Sequence, residues 1–483
     1  MLKPWQVTSA NHLLSVIRTH GSAADLSSTG TGKTFTALAV AQALQLPTLI
    51  VCPEIAVTAW NLAAEEHFNE RFSVINYERI RLGETGFGTW SNQGAMRAKR
   101  SPVFVCSRCL RRYNSPKDFD ACPYSPLGVH CVDCKSPRPP RLGEFYFRPG
   151  VKFLVFDEAH RCGGGDSLNA ELLIAAKRQK IPHLMLSATL AENPLKLRAI
   201  GYSLGLHNDG HDEVLANGRR GLRAYRAWLG SNSCRRDPRF KGFKWFAGAE
   251  EQRSIMSGIR AQIIPERGVR VRCEEIPGFP EQVISADLID LEPTDTAALK
   301  ELYEQLEGSL EITKILRLRQ EIEMRKIPAI VEVARDRMEQ GFSIGTFLNF
   351  RDSLEELSRL LGCPYIDGTI TGKKRDEIIA GYQRNDFTCL GLNSDAASLA
   401  INLQDLDGQH PRFGIVSPPW SAVCFRQLTG RFRREGGRST SYFKTLFAAG
   451  TVEVKMWRAL RGKLNCLDSL NDNDLQPNNL HMA

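Results

Sequence analysis

No uninterrupted apolar run among these 483 residues approaches the length of a membrane span, and the opening Met1-Leu-Lys-Pro-Trp-Gln6 has no apolar core of signal-peptide length. Membrane insertion and export are therefore not expected, and the reading is a cytosolic protein. The chain also lacks an even cysteine complement: thirteen cysteines without a secretory signal argue against a disulfide framework. No internal repeat is evident, so a repeat architecture is not expected. Charge is not extreme either, with a formal net charge of +9 and a sequence pI of about 8.9. Such a balance suits a polyanionic partner, and equally a soluble enzyme with a basic surface. At 42% hydrophobic the chain is not a disordered segment, and its length allows two or more well-buried domains.

What is present is organised around Ala24-Asp-Leu-Ser-Ser-Thr-Gly-Thr-Gly-Lys-Thr34, which follows a hydrophilic turn and leads into Phe35–Leu44, an apolar-rich run of helical spacing. Ser27, Gly30, Gly32, Lys33 and Thr34 fit a phosphate-binding loop, with serine where glycine or alanine often stands. In that reading the backbone of Ser28, Thr29, Gly30, Thr31 and Gly32 curls around a β-phosphate. Lys33 reaches the β- and γ-phosphates, and the Thr34 hydroxyl ligates magnesium at a helix N-terminus. The plain alternative is a glycine-rich turn.

Thr48–Cys52 is a short apolar run ended by Pro53, as expected of a buried parallel strand. A helix over Ala59–Phe68 and a strand over Phe72–Tyr77 complete a βαβ pattern. From about Arg81 to Gly150 the pattern breaks into Gly, Ser, Pro, Arg and Cys, and then Val151–Phe156 resumes as a strand running into Asp157-Glu-Ala-His160. The interruption reads as an insertion. Within it Cys106-x-x-Cys109 and Cys131-x-x-Cys134 stand 21 residues apart, the spacing of a zinc ribbon in which four thiolates share one tetrahedral Zn²⁺. Cys122 and His130 are spare ligands, so a Cys₃His site or a substitution by Cys122 stays open. Reduced buried thiols would need a hydrophobic setting that this polar stretch does not offer. Ten Lys or Arg against three Asp or Glu between Arg97 and Arg141 suit either a solvated face or a nucleic-acid grip.

Further along, His183–Thr189 reads as a strand ending in small hydroxyl residues. Arg219–Phe246 interleaves arginines with Tyr225, Trp228, Phe240, Phe243, Trp245 and Phe246. It is either a nucleic-acid contact or an aromatic core with an arginine rim. Thr294–Arg325 is a charged helical stretch suited to a connector. Pro328 then opens a second α/β series: a helix Ile330–Met338, a strand Ser343–Phe350, helices Leu354–Leu361 and Arg375–Tyr382, and strands Thr388–Leu392 and Phe413–Val416.

Taken in order, Ser28–Thr34, Val51-Cys-Pro53 with Trp60, Asp157–His160, Ser187-Ala-Thr189, Gly368 with Arg375, and Gln427–Arg434 followed by Gly450-Thr451 and Glu453 resemble the motif series of superfamily 2 helicases and translocases. The details are most similar to the Swi/Snf-type group and its phage-encoded DEAH-motif relatives. The resemblance covers nearly the whole chain, although Asp395–Gln404 carries Ala397, Ser398 and Ala400 where motif V is usually glycine-rich. It implies an α/β fold of two RecA-like domains, parallel sheets flanked by helices; the zinc-ribbon-like insertion in the first is read from its cysteine spacing and lies outside the common pattern, so no role is carried over to it. The expected divisions are an ATP-binding domain over 1–275, a cysteine-rich insertion over 81–150, a connector over 276–327, a helicase domain over 328–470 and a polar tail over 471–483. It further implies ATP and Mg²⁺ beside the Zn²⁺, with Asp157 and Thr34 on magnesium. Glu158 would polarise the attacking water, Arg431 and Arg434, three apart on one helical face, would act on the transferring phosphoryl group, and Gln427 would sit near the γ-phosphate. Gln6 would read adenine, and Ser187, Ala188 and Thr189 would couple nucleotide state to domain closure. DNA is the expected partner rather than RNA, and no membrane. The compartment would be the host cytoplasm for a phage-encoded protein. The competing class is a nucleotide-dependent switch or scaffold that binds nucleic acid without moving.

Overall fold

The computed structural model describes residues 2–471 apart from 69–71, 84, 91–103, 106–111, 114–143, 164–166, 209–221, 239–241, 306–310, 371 and 395–400. The cysteine ligand candidates, Cys122, His130, the glycine-poor stretch 395–400 and the polar tail 472–483 lie outside the described residues.

Two six-stranded sheets form the frame. The first takes β1 (Ser22–Asp25), β2 (Thr48–Cys52), β3 (Ser73–Asn76), β8 (Phe153–Asp157), β9 (His183–Leu186) and β12 (Gly268–Val269) in the order β12-β1-β9-β8-β2-β3, every pair parallel. Its interior strands read as apolar runs because both faces are covered by helices; all five residues of β2 are buried. The strand β1 is Ser-Ala-Ala-Asp, equally buried, and its small side chains gave no apolar run to read.

Between β3 and β8 the chain leaves through β4 (Gly88–Trp90) and returns through β7 (Phe145–Phe147), an antiparallel stem for the insertion. Trp90, Phe145 and Phe147 bury this stem against the first core, and Arg178 Nη2 donates to the Phe145 carbonyl at 2.6 Å. Inside the insertion β5 (Phe104–Val105) pairs antiparallel with β6 (Arg112–Tyr113). After β9 a smaller hairpin, β10 (Cys234–Arg236) with β11 (Phe243–Trp245), packs beside the first sheet.

The second sheet takes β13 (Gln282–Ile289), β14 (Ser343–Leu348), β15 (Tyr365–Ile366), β16 (Cys389–Asn393), β17 (Arg412–Val416) and β18 (Ser441–Ala448), ordered β13-β18-β17-β14-β16-β15 and again parallel throughout. The stretch expected as a connector is thus partly built into this sheet, since β13 pairs with β18 along eight residues. Pro328 does not open an element either; it lies inside the helix Glu311–Glu339. Its buried Ile327, Ile330, Val331 and Ala334 pack on the second sheet and offset the roughly 3 kcal/mol that an interior proline costs. One residue earlier, Lys326 is fully buried and donates to both Glu453 carboxylate oxygens, 2.8 and 2.9 Å, fixing this helix to the C-terminal helix Val452–Asn471. That last helix joins the lobes, with Trp457, Leu460, Leu464 and Leu467 in the second core and Cys466 and Leu470 in the first. Among the described residues no helix is long and apolar enough to cross a membrane.

Candidate active site

The strand order β1-β9-β8 brings three sequence-distant loops together. Asp25 and Asp157 each stand in register with Leu186, so the loop after β1, Ser187 after β9 and Glu158 after β8 leave adjacent C-terminal strand ends. That edge is where parallel α/β sheets bind ligands.

The loop is held open from behind. Asp25 Oδ1 accepts from the Ser27 N–H at 2.9 Å, Ser27 Oγ accepts from the Val271 N–H at 3.1 Å, and Trp5 Nε1 and Gln6 Nε2 both donate to the Thr31 carbonyl at 3.1 and 3.3 Å. Gly30 and Gly32 both take φ of 85°, a left-handed conformation that a side chain would strain, and Gly32 leads directly into the helix Lys33–Leu44. Lys33 Nζ folds back on the Ser27 and Ser28 carbonyls at 2.9 and 3.0 Å. Among the described residues the six consecutive backbone N–H groups from Thr29 to Thr34 donate to no protein acceptor. Unpaired main-chain donors in such a run at a helix N-terminus form an anion cradle, which fits a polyphosphate.

Facing the cradle are the two carboxylates after β8. Asp157 Oδ2 accepts from Trp60 Nε1 and Oδ1 from the Glu158 N–H, both at 2.9 Å, while Tyr77 donates to the Asp157 carbonyl at 2.8 Å. Burial pushes the Asp157 carboxyl up to about 6, and the charge of Glu158 adds to the rise. Glu158 behaves oppositely. Burial alone would raise it, but the His160 hydrogen bond and charge, with Lys33 and Arg431, outweigh burial and hold it near 2. Its backbone φ of 48° is left-handed and aims the side chain into the cleft, where Oε2 lies 3.2 Å from His160 Nδ1 and accepts from Gln427 Nε2 at 3.2 Å. His160 Nδ1 is also 3.3 Å from Ser187 Oγ, so one imidazole links the Asp157–His160 and Ser187–Thr189 segments.

The second lobe completes the site. The helix Ala422–Thr429 carries Gln427 and ends at Gly430, so Arg431 and Arg434 lie in the turns beyond it and not on a helical face. Both guanidiniums are nevertheless buried and within electrostatic range of Glu158. Burial disfavours the charge of both, Arg434 is further disfavoured by Arg431, and Glu158 is an opposing charge for each. The buried Nε of Arg434 has no hydrogen-bond partner among the described residues. Crowded cations with an unmet donor suit an incoming phosphate oxygen. The residues present therefore fit ATP with magnesium: Lys33, Arg431 and Arg434 on the phosphates, Thr34 and Asp157 on the metal.

Backbone meets backbone where the lobes join. A Cβ on Gly30 would lie 2.9 Å from the Arg433 carbonyl oxygen, and one on Gly430 would lie 2.2 Å from Thr29 Oγ1. Lys3 Nζ meets Glu435 Oε1 at 3.2 Å and Arg433 Nη1 meets Glu274 Oε1 at 2.7 Å across the same seam. Gly430→Ala should therefore hold the lobes apart and lower the rate of ATP turnover about tenfold or more. Thr29→Ala in the same chain, by removing the nearest atom, should restore part of the rate. A Gly430→Ala chain with unaltered turnover would show that closure does not depend on this contact.

Two participants had no role in the sequence reading. Asp25, whose carboxyl burial pushes up, braces the loop beside Lys33; its signal was an acid at the end of a run of small residues. His160 was read only as part of its motif, and its bridging position depends on β9 lying between β1 and β8. Gln6 is brought to the loop, with Oε1 already accepting from the Lys3 N–H at 2.9 Å.

The family model described as Type III restriction enzyme, res subunit, matches residues 2–192. A protein of Acanthamoeba polyphaga mimivirus named as an ATP-dependent RNA helicase is 27% identical over 98% of this chain and 84% of its own length. The human DNA repair and recombination protein RAD54-like is 27% identical over 135 residues, which is 27% of this chain and 17% of that protein. Two solved structures align along most of the chain: the Sulfolobus solfataricus SWI2/SNF2 ATPase core in complex with dsDNA, with 15% identity, 100% and 97% coverage and a TM-score of 0.34, and S. cerevisiae Dbp5 bound to RNA and ADP BeF3, with 10% identity, 96% and 92% coverage and a TM-score of 0.45.

Proposed function

We propose that this chain, an ATP hydrolase similar to helicases, is a superfamily 2 motor that tracks along duplex DNA by backbone contacts, driven by closure and opening of its two lobes. The observation that carries the reading is the joint across the cleft, where Gln427 of the second lobe donates to Glu158 of the first and the buried Arg431 and Arg434 feel the charge of the same carboxylate. A switch or scaffold that binds without moving needs no arginine pair poised against a developing phosphoryl charge. Bound ATP and magnesium supply the phosphoryl group and the Lewis acid. In this assignment Glu158 orients the attacking water, Arg431 and Arg434 stabilise charge on the transferring group, and Ser187, Ala188 and Thr189 relay its state through His160. Gln6 keeps one N–H and one lone pair for the adenine edge. Residues 1–275 form the ATP-binding lobe, and 328–470, together with the strand and helices before them, form the other.

The name of the human RAD54-like relative, a DNA repair and recombination protein, supports DNA; the name of the mimivirus relative points to RNA, so both belong in the test. ATPase rates are compared with single-stranded, duplex and branched DNA and with RNA. Duplex DNA should stimulate most, with little dependence on base sequence and a steep fall with salt. Greatest stimulation by RNA would overturn the substrate, and no stimulation by any of the four would favour the switch.

We also infer a Zn²⁺ held by Cys106, Cys109, Cys131 and Cys134. The spacing of the two Cys-x-x-Cys pairs supports it, and the antiparallel pairing of Val105 with Arg112 brings together the two residues that flank the first pair. About one zinc per chain is expected in freshly reduced protein. Metal analysis finding none would remove the site. Deleting the insertion should weaken DNA binding more than basal hydrolysis, because none of the phosphate-handling residues lies in it.

A further inference from the structure

The arginine and aromatic segment before Phe246 divides by face. On the inner face of the β10–β11 hairpin, Cys234, Phe243 and Trp245 pack with Tyr225 and Leu229 of the helix Arg223–Ser231, and Tyr225 donates to the Leu195 carbonyl at 3.1 Å. The ladder register places Arg235 directly opposite Lys244, and the Phe246 N–H donates to the Ser233 carbonyl at 3.1 Å, continuing the pairing. Side chains two residues apart share a face of a strand, so Arg235, Lys244 and Phe246 lie together on the outer one.

All three are exposed, Phe246 by 51%, and Lys244 Nζ stands 5.6 Å from the Phe246 ring centre. Neither Arg235 nor Lys244 has an ion-pair partner among the described residues, and the one acid bonded at this edge, Glu251, accepts from Ser233 Oγ at 2.5 Å. Like charges directly opposite on an antiparallel pair oppose folding, and an exposed phenyl ring adds nothing to the core beneath. The inner face already anchors the hairpin, so packing does not account for the outer one.

We propose that this outer face grips a single strand of nucleic acid, with Arg235 and Lys244 on phosphates and Phe246 stacked on an unpaired base. The pairing of two cations with one accessible ring matches what a single strand offers, since a duplex presents phosphates but keeps its base faces stacked. The inference rests on the nucleic-acid motor reading and adds a contact for a single-stranded end or gap beside the duplex that the motor tracks.

The test measures binding of the full chain to labelled single-stranded and duplex oligonucleotides over a salt series, with Arg235→Ala/Lys244→Ala and Phe246→Ala beside the unsubstituted protein. The double variant should lose about tenfold or more in single-strand affinity, and its log K against log salt should flatten by about 1.4, or about 0.7 per phosphate. Phe246→Ala should lose on the order of 5- to 150-fold on the single strand and keep its duplex affinity. The thermal midpoint of the double variant should not fall, because a repulsion has been removed. Variants that bind both substrates as the unsubstituted chain does would overturn the inference alone. So would equal losses on both substrates accompanied by a lower midpoint, which would make the hairpin structural. An unsubstituted chain that binds no nucleic acid would overturn the motor reading and this contact with it.

Discussion

Lys33→Ala is expected to lower ATP turnover on the order of 10²- to 10³-fold or more while leaving the fold intact. The ammonium belongs to the same loop as the unpaired N–H groups and is held against the Ser27 and Ser28 carbonyls. Burial lowers its pKa, and the charges of Asp25, Glu158 and Asp157 work against that fall, so the group sits among three carboxylates ready to be drawn onto an anion. Alanine leaves those carboxylates without their counter-charge. Part of the effect should therefore appear as weaker nucleotide binding. Near-normal turnover with an unchanged circular dichroism spectrum would sink the site assignment.

Arg431→Ala and Arg434→Ala should each lower kcat on the order of a hundredfold or more, with a much smaller effect on nucleotide affinity. The two arginines face Glu158 from the opposite lobe, and their charge is disfavoured by burial until an anion grows between them. An interaction made mainly in the transition state lowers kcat and kcat/KM together. Arg431 also donates to the Ile401 carbonyl at 3.5 Å, so thermal melts must accompany its variant. If both variants lost binding and turnover in equal measure, the arginines would be ground-state ligands and the motor reading would lose its main support.

The candidate phosphate loop, carboxylate pair and arginines could be picked out because each is a local pattern of residue types, and the structure places the loop and the carboxylates at adjacent strand ends. β2 and β9 were legible as well, since strands covered on both faces are apolar throughout. β1 was not, because Ser-Ala-Ala-Asp carries no hydrophobic signal and its burial comes from neighbours on both sides, so close that a Cβ on Gly268 would meet the Ala24 carbonyl oxygen at 2.2 Å. Pro328 read as a break, but the apolar stripe around it decides for the helix. The short motif around Arg431 read as helical by spacing, yet Gly430 ends the helix and both arginines lie in the turns beyond it. The seam between Thr29 and Gly430 could not be read at all. It joins residues from opposite ends of the chain, and nothing local to either marks it.

The most direct test of the motor is triplex displacement on a plain duplex, run with strand displacement on a forked DNA and with ATP in both. Tracking along the duplex predicts ATP-dependent removal of the third strand, abolished in Lys33→Ala, with little unwinding of the fork. Robust unwinding of the fork with no triplex displacement would contradict it.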